Sequence, residues 1–60
     1  MISVGIIGFG RFGKVLANIL QKGFYIKAYD PKPIGTFPGV EFTNIDSLLK
    51  EKVIFIAVPI

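Results

Sequence analysis

The chain has 60 residues, no cysteine, no histidine and a formal net charge of +3 at pH 7. This length allows one domain at most, and the missing residue types exclude a disulfide framework, a thiolate metal site and a histidine general base. The seven Lys and Arg residues are scattered along the chain, which indicates solvated faces rather than a nucleic-acid-binding stripe.

Apolar residues make up 52% of the chain, more than a core of this size hides easily. We therefore expect the amino-terminal part of a larger domain, whose partner is the rest of a longer chain. The alternative is a complete small protein that forms a homo-oligomer. No apolar run approaches the roughly 20 residues that span a bilayer, and no basic stretch precedes the first apolar run. We expect a cytoplasmic protein without membrane or nucleic-acid partners.

The first predicted element is a buried strand at residues 2–7, an apolar and β-branched run. A helix is predicted over residues 11–22, because apolar residues recur there at helical spacing. Its predicted buried stripe consists of Phe12, Val15, Leu16, Ile19 and Leu20. Gly23 follows as a residue expected in the left-handed conformation that ends many helices.

Between this strand and this helix, Gly8, Gly10 and Gly13 spell the pattern G-x-G-x-x-G. In dinucleotide-binding turns the first glycine allows the tight turn, and the second lets a diphosphate approach the backbone. The third lets the helix pack close to the strand. The N–H groups and dipole of the helix start then favour the negative charge of the diphosphate. A purely structural glycine turn is the alternative.

A second strand is predicted at residues 25–29, and it ends at Asp30. A carboxylate at this position accepts hydrogen bonds from the adenosine ribose hydroxyls of a dinucleotide. It also repels a 2′-phosphate, and no arginine follows it, so the sequence favours NAD over NADP. Lys32 is the local cation that opposes this preference. Arg11 is either a cofactor phosphate contact or an exposed helix arginine.

The connection at residues 31–39 contains three prolines and two glycines, which exclude a regular helix. It is expected to pass the adenine end of the cofactor, with Ile34 or Phe37 as an apolar wall; a surface loop with one buried anchor is the alternative. A short edge strand is predicted at residues 40–43. A short helix follows, with Thr43 or Asn44 as its N-cap and Asp46 in its first turn, and it ends near residue 51.

The apolar run at residues 53–58 ends at Pro59 and predicts a buried central strand. Right-handed crossovers arrange the four strands in the order 3-2-1-4, an α/β fold with a partial Rossmann-type parallel sheet over residues 1–60. The order reverses between strands one and four. A ligand crevice is therefore expected between the Gly8 turn and the Val58–Pro59 end.

Three segments carry a family resemblance: G-I-I-G-F-G-R-F-G-K at 5–14, A-Y-D-P at 28–31 and V-I-F-I-A-V-P-I at 53–60. Together they resemble the amino-terminal part of prephenate and arogenate dehydrogenases, the oxidoreductases of tyrosine biosynthesis. The glycine pattern alone also fits dehydrogenases of the 3-hydroxyacid and 6-phosphogluconate type. A non-catalytic module that senses a dinucleotide or dimerises is a further alternative.

The resemblance implies an NAD(P)-binding domain, with a helical substrate domain and the catalytic histidine outside these 60 residues. The chain alone is therefore expected to be inactive. By resemblance, the diphosphate loop consists of Gly8, Phe9, Gly10, Arg11, Phe12 and Gly13. Asp30, followed by Pro31, corresponds to the ribose position, and Ala57, Val58 and Pro59 lie beside the cofactor. Phe9 and Phe12 are expected to act more as packing residues than as ligand contacts.

Overall fold

Six elements follow one another in the predicted order in the computed structural model, which describes residues 2–32 and 35–57. They are β1 (Ser3–Ile7), α1 (Arg11–Leu20), β2 (Tyr25–Tyr29), β3 (Val40–Phe42), α2 (Ile45–Leu48) and β4 (Ile54–Ile56). Both helices are shorter than predicted, since α1 ends at Leu20 rather than residue 22 and α2 at Leu48 rather than near 51. None of the helices in the described ranges is long and apolar enough to cross a membrane.

The four strands form one sheet in the order β3-β2-β1-β4, and every pair is parallel. This confirms the predicted α/β fold and the order 3-2-1-4. The register places Ile6 of β1 between Ala28 of β2 and Phe55 of β4. Two bonds extend these ladders beyond the strands: Gly8 N–H donates to the Tyr29 carbonyl at 2.8 Å, and Ala57 N–H donates to the Ile7 carbonyl at 2.8 Å. The sheet therefore aligns the carboxyl ends of β2, β1 and β4.

The core lies between α1 and one face of the sheet. It includes Ala17 of α1, Phe9 and Ala57 from the chain after β1 and β4, and buried residues that alternate along β1 and β2: Val4, Ile6, Ile26 and Ala28. On the opposite face, α2 packs Leu48 against Gly5, where a Cβ would lie 3.1 Å from the Leu48 Cγ. Each face thus carries one helix, because residues of a strand point alternately to the two faces.

The buried face of α1 differs from the predicted stripe. Gly13 and Ala17 are buried and Leu16 and Leu20 are half-buried, but Phe12, Val15 and Ile19 are exposed. The expectation that these last three residues are buried was wrong. The small residues Gly13 and Ala17 let the helix approach the sheet, and this turns the neighbouring bulky residues away from it.

Gly23 is not in the left-handed conformation that was predicted for it. The described glycines with positive φ are Gly8, Gly35 and Gly39. After α1, Gln21 is the right-handed C-cap, and the N–H groups of Gly23 and Phe24 both donate to the Leu20 carbonyl, at 3.0 and 2.9 Å. These bonds provide partners for the last carbonyl of the helix without a positive φ.

The second helix begins as predicted, with Asn44 rather than Thr43 as its cap. The Asn44 side chain accepts the Ser47 N–H at 2.8 Å, and Asp46 lies in the first turn. The following strand, β4, was predicted to be buried, but Phe55 and Ile56 are exposed. Among the described residues, β4 pairs only with β1, so one of its edges and much of its surface stay uncovered.

Candidate cofactor site

The glycine turn begins at Gly8, directly after β1. Its φ is 90°, a left-handed backbone conformation that residues with a Cβ rarely adopt. Its N–H group is held by the Tyr29 carbonyl at the end of β2. Gly8 therefore allows the chain to leave the sheet abruptly, as predicted.

Gly13 explains how closely α1 approaches this turn. A Cβ at Gly13 would lie 2.5 Å from the carbonyl oxygen of Gly8, closer than real Cβ contacts allow. The predicted role of the third glycine, close packing of the helix against the strand end, is confirmed by this contact.

Gly10 is different, because nothing in the described structure requires a glycine there. Its φ of −82° and ψ of −152° are extended, and no heavy atom lies within 4 Å of the position that a Cβ would occupy. The residue is exposed, with open space above its Cα. This gap is where a diphosphate approaches the second glycine of the pattern in dinucleotide-binding turns.

The amino terminus of α1 is directed at the same place. The first bond along the helix runs from Lys14 N–H to the Gly10 carbonyl at 3.0 Å, so the N–H groups of Arg11, Phe12 and Gly13 have no acceptor within their own helix. No acidic residue stands in the first turn, and the exposed Arg11 adds a positive charge. This end of α1 can therefore accept an anion.

Asp30 lies at the end of β2 next to the glycine turn, and both of its carboxylate oxygens are anchored. Oδ2 accepts the Phe9 N–H at 2.7 Å, and Oδ1 accepts the Lys32 N–H at 2.8 Å. The Phe9 bond first, and then the Lys32 bond, lower the pKa of Asp30 from its ordinary value, so the carboxylate is ionised at neutral pH. Each oxygen retains acceptor capacity for a ligand hydroxyl.

The side chain of Phe9 is buried, with 1% of its surface exposed. Its ring makes edge-to-face contacts with Phe37 and Phe42, each with a centroid distance of 5.1 Å. Its predicted packing role is therefore correct, whereas Phe12 is 66% exposed and does not pack. Phe37 is half-buried and contacts Phe9, which fits the alternative of a surface loop with one anchor; its role as an apolar wall for adenine stays a prediction, and Ile34 lies outside the described residues.

Sequence reasoning missed two features of this site. The first is the bond between Phe9 N–H and Asp30, which joins residues 21 positions apart. The second is the aromatic cluster of Phe9, Phe37 and Phe42. The available signal was a phenylalanine in the glycine turn, one in the connection before β3 and one at the end of β3, but the pairing of their rings depends on the sheet order.

The remaining predicted residues lie around this turn or beyond the described ranges. Pro31 is exposed directly after Asp30. Ala57 is buried, and its bond to Ile7 places the end of β4 beside the start of the glycine turn. Val58 and Pro59 lie outside the described residues. Within the ranges 2–32 and 35–57, no cluster of acidic, His or Cys side chains is able to hold a metal ion.

Comparisons with known proteins give one informative similarity. No protein-family model matches the chain, and no curated protein matches it. A solved structure of D-2-hydroxyisocaproate dehydrogenase is similar, with a TM-score of 0.90 and 32% sequence identity. The match covers 98% of this chain and 19% of that one, so this chain spans about a fifth of the dehydrogenase. The similarity therefore supports a segment of a dinucleotide-binding dehydrogenase, and it gives no support specific to prephenate or arogenate dehydrogenases.

Proposed function

We propose that this chain is the first part of a dinucleotide-binding domain of an oxidoreductase and that its cofactor is NAD. The observation that carries the proposal is the open space at Gly10. The fold itself explains why Gly8 and Gly13 are glycines. At position 10 a glycine is explained by a ligand that approaches the backbone. The similarity to a segment of D-2-hydroxyisocaproate dehydrogenase supports the same function.

The residues present fit such a cofactor. The N–H groups at the start of α1 and the side chain of Arg11 bind the diphosphate between them. Asp30, already oriented by two backbone bonds, accepts hydrogen bonds from the adenosine ribose hydroxyls. The cofactor supplies the nicotinamide ring that exchanges hydride, and these residues bind and orient it.

The carboxylate of Asp30 favours NAD over NADP. Like any aspartate with an ordinary or lowered pKa, it is charged at neutral pH, and a 2′-phosphate would lie beside this like charge. A charge-assisted bond from a ribose hydroxyl contributes about 1.5–3 kcal/mol instead. Lys32 offers a competing cation, but its backbone N–H is bonded to the same carboxylate, which it helps to orient.

For the whole protein we propose a dehydrogenase that oxidises a hydroxyl-bearing carboxylic acid. The sequence motifs favour prephenate or arogenate, with oxidative decarboxylation; the structural similarity favours a 2-hydroxy acid. The substrate domain lies outside these 60 residues in either case. Assays of the full-length protein with NAD and each of prephenate, arogenate and D-2-hydroxyisocaproate distinguish the prephenate or arogenate activity from the 2-hydroxy acid activity. Turnover of none of these hydroxy acids would contradict the proposed substrate class.

The test of cofactor binding is Gly10→Ala in the full-length protein. A methyl group at this position meets no protein atom within 4 Å, so the fold should be unchanged. It occupies the space that the diphosphate needs, and we expect NAD affinity in calorimetric titration to fall by about tenfold or more. Gly23→Ala is the matched control, since its added methyl group is equally unobstructed but lies at the other end of α1. Equal NAD affinity in both variants would contradict the proposal.

Cofactor choice is tested by Asp30→Ala, with NAD and NADP titrated against each variant. We expect the unmodified protein to bind NAD more tightly, and the substitution to reduce or reverse that preference because the repulsive charge is removed. Tighter NADP binding by the unmodified protein would reject the assignment. An unchanged preference after substitution would remove Asp30 from this role.

A further inference from the structure

The residue between the first two glycines of the turn joins several parts of the site. The backbone N–H of Phe9 donates to Asp30 Oδ2 at 2.7 Å, while its ring is almost completely buried. The ring contacts Phe37 and Phe42 edge to face, with interplanar angles of 77° and 89°. One residue therefore links the glycine turn, the end of β2, the connection before β3, and β3 itself.

The connection before β3 is held from two further directions. The Phe37 carbonyl accepts the Val40 N–H at 3.1 Å, which fixes Phe37 to the start of β3. Gly39 has a φ of 81°, and a Cβ there would lie 1.8 Å from the Gln21 side-chain oxygen, so the end of α1 lies directly against it. Phe37 is thus held by β3 and by the ring of Phe9, and Gly39 lies against the C-cap of α1.

These contacts lie on one side of the glycine turn. Because the sheet order is β3-β2-β1-β4, Asp30 directly after β2 and Phe42 at the end of β3 lie on one side of β1, and Ala57 directly after β4 lies on the other. In the proposed binding mode, Asp30 meets the adenosine ribose. The contacts of Phe9 with Asp30 and Phe42 therefore lie on the adenosine side of the site.

We propose that Phe9, held by Phe37 and Phe42, is a positioning residue that orients the Asp30 carboxylate toward the adenosine ribose of the cofactor. This inference rests on the proposed function. The ring itself is too buried to contact a ligand, and its effect passes through the backbone N–H of Phe9 to Asp30. Preorganisation of this kind strengthens binding because the carboxylate does not have to be ordered when the ligand arrives.

The experiment compares NAD with an NAD analogue that lacks the adenosine 2′-hydroxyl, titrated against the full-length protein. In the unmodified protein we expect loss of that hydroxyl to weaken binding by about tenfold or more, since it removes a hydrogen bond to a charged group. In Phe42→Leu, which keeps an apolar side chain but removes one ring contact, we expect the ratio of the two affinities to fall toward one.

Phe24→Leu is the matched control. Phe24 is also a partly buried phenylalanine that packs against the same core, but it precedes β2 and lies at the opposite end of that strand from Asp30. We expect a comparable loss of thermal stability and an unchanged affinity ratio. If Phe42→Leu does not fold, Phe37→Leu provides the same comparison from the exposed connection.

The outcomes separate the two proposals. Failure of the unmodified protein to bind NAD would reject the proposed function. NAD binding with an affinity ratio that persists in Phe42→Leu or its substitute Phe37→Leu would reject only the positioning role. A ratio that falls equally in Phe24→Leu would also reject that role, since it would reflect general loosening of the core.

Discussion

Asp30 has a structural role at the glycine turn as well as its proposed role in cofactor binding. Its carboxylate connects the end of β2 to the glycine turn through Phe9 and to the following residues through Lys32. These bonds favour the ionised form, which is why the pKa of Asp30 lies below its ordinary value. The group that is proposed to bind the ribose thus also stabilises the turn in the absence of a ligand.

A pH dependence of stability follows from this lowered pKa. The contribution of Asp30 is complete above its unfolded-state pKa, about 3.8, and is lost as the pH falls through the lower folded-state value. We expect Asp30→Asn to reduce the loss of unfolding free energy between neutral pH and strongly acidic pH. Urea denaturation over a pH series measures this.

Glu51 provides a companion variant for the same series. Its pKa is lowered first by the Ser3 hydroxyl and then by Lys27, whose Nζ lies 3.3 Å from Glu51 Oε2. Glu51→Gln should also reduce the loss of unfolding free energy at acidic pH. The effects of Asp30→Asn and Glu51→Gln should add, because Asp30 and Glu51 share no hydrogen-bond partner. A profile of Asp30→Asn that coincides with that of the unmodified chain would refute the linkage.

At the scale of elements, the joint between β1 and α1 determines the geometry of the site. The chain turns at Gly8, and α1 returns so closely that Gly13 lies against the Gly8 carbonyl. This contact directs the N–H groups at the start of α1 toward the space above Gly10. Helix packing and the candidate anion site therefore depend on the same approach.

Gly13→Ala tests this joint. The added Cβ would lie 2.5 Å from a backbone oxygen, which cannot move without shifting the turn. We expect a loss of about 1–3 kcal/mol in unfolding free energy, as for other overpacked positions. Gly23→Ala, where a Cβ meets nothing, should change stability by less than about 0.5 kcal/mol. Equal stabilities of the two variants would show that α1 does not pack as described.

At the scale of the whole molecule, large apolar side chains are exposed on both α1 and β4. On α1 they form the outer stripe, defined as Phe12, Val15 and Ile19. On β4, Phe55 and Ile56 are exposed beside an edge that pairs with no strand in the described ranges.

We expect the 60-residue chain by itself to form dimers or larger species, because exposed apolar strand edges and patches associate. Ile56→Lys should shift it toward the monomer by placing a charge at this edge. Ile2→Lys is the control, since Ile2 is 69% exposed and Ile56 is 70% exposed, but Ile2 precedes β1 at the other end of the sheet. Light scattering at micromolar concentration measures the change. A monodisperse monomer of the unmodified chain would contradict the prediction.

Local and periodic signals were enough to predict much of this molecule. The six elements, their order in the sheet, the turn at Gly8, the close approach at Gly13 and a cap at Thr43 or Asn44 each depend on neighbouring residues or on general connection rules. Asp30 was also located by sequence, since the end of a strand in a parallel sheet is a defined position.

Only the tertiary structure determined which side of α1 faces the core, because its apolar residues cover two adjacent sides and periodicity does not rank them. The sheet selected the side with Gly13 and Ala17, where small residues permit the closest approach and the densest packing. Tertiary structure likewise brought Phe9, Phe37 and Phe42 together and bonded Phe9 to Asp30. Phe9 is far along the chain from each of these partners, and its contacts depend on strand order and register rather than on any local preference.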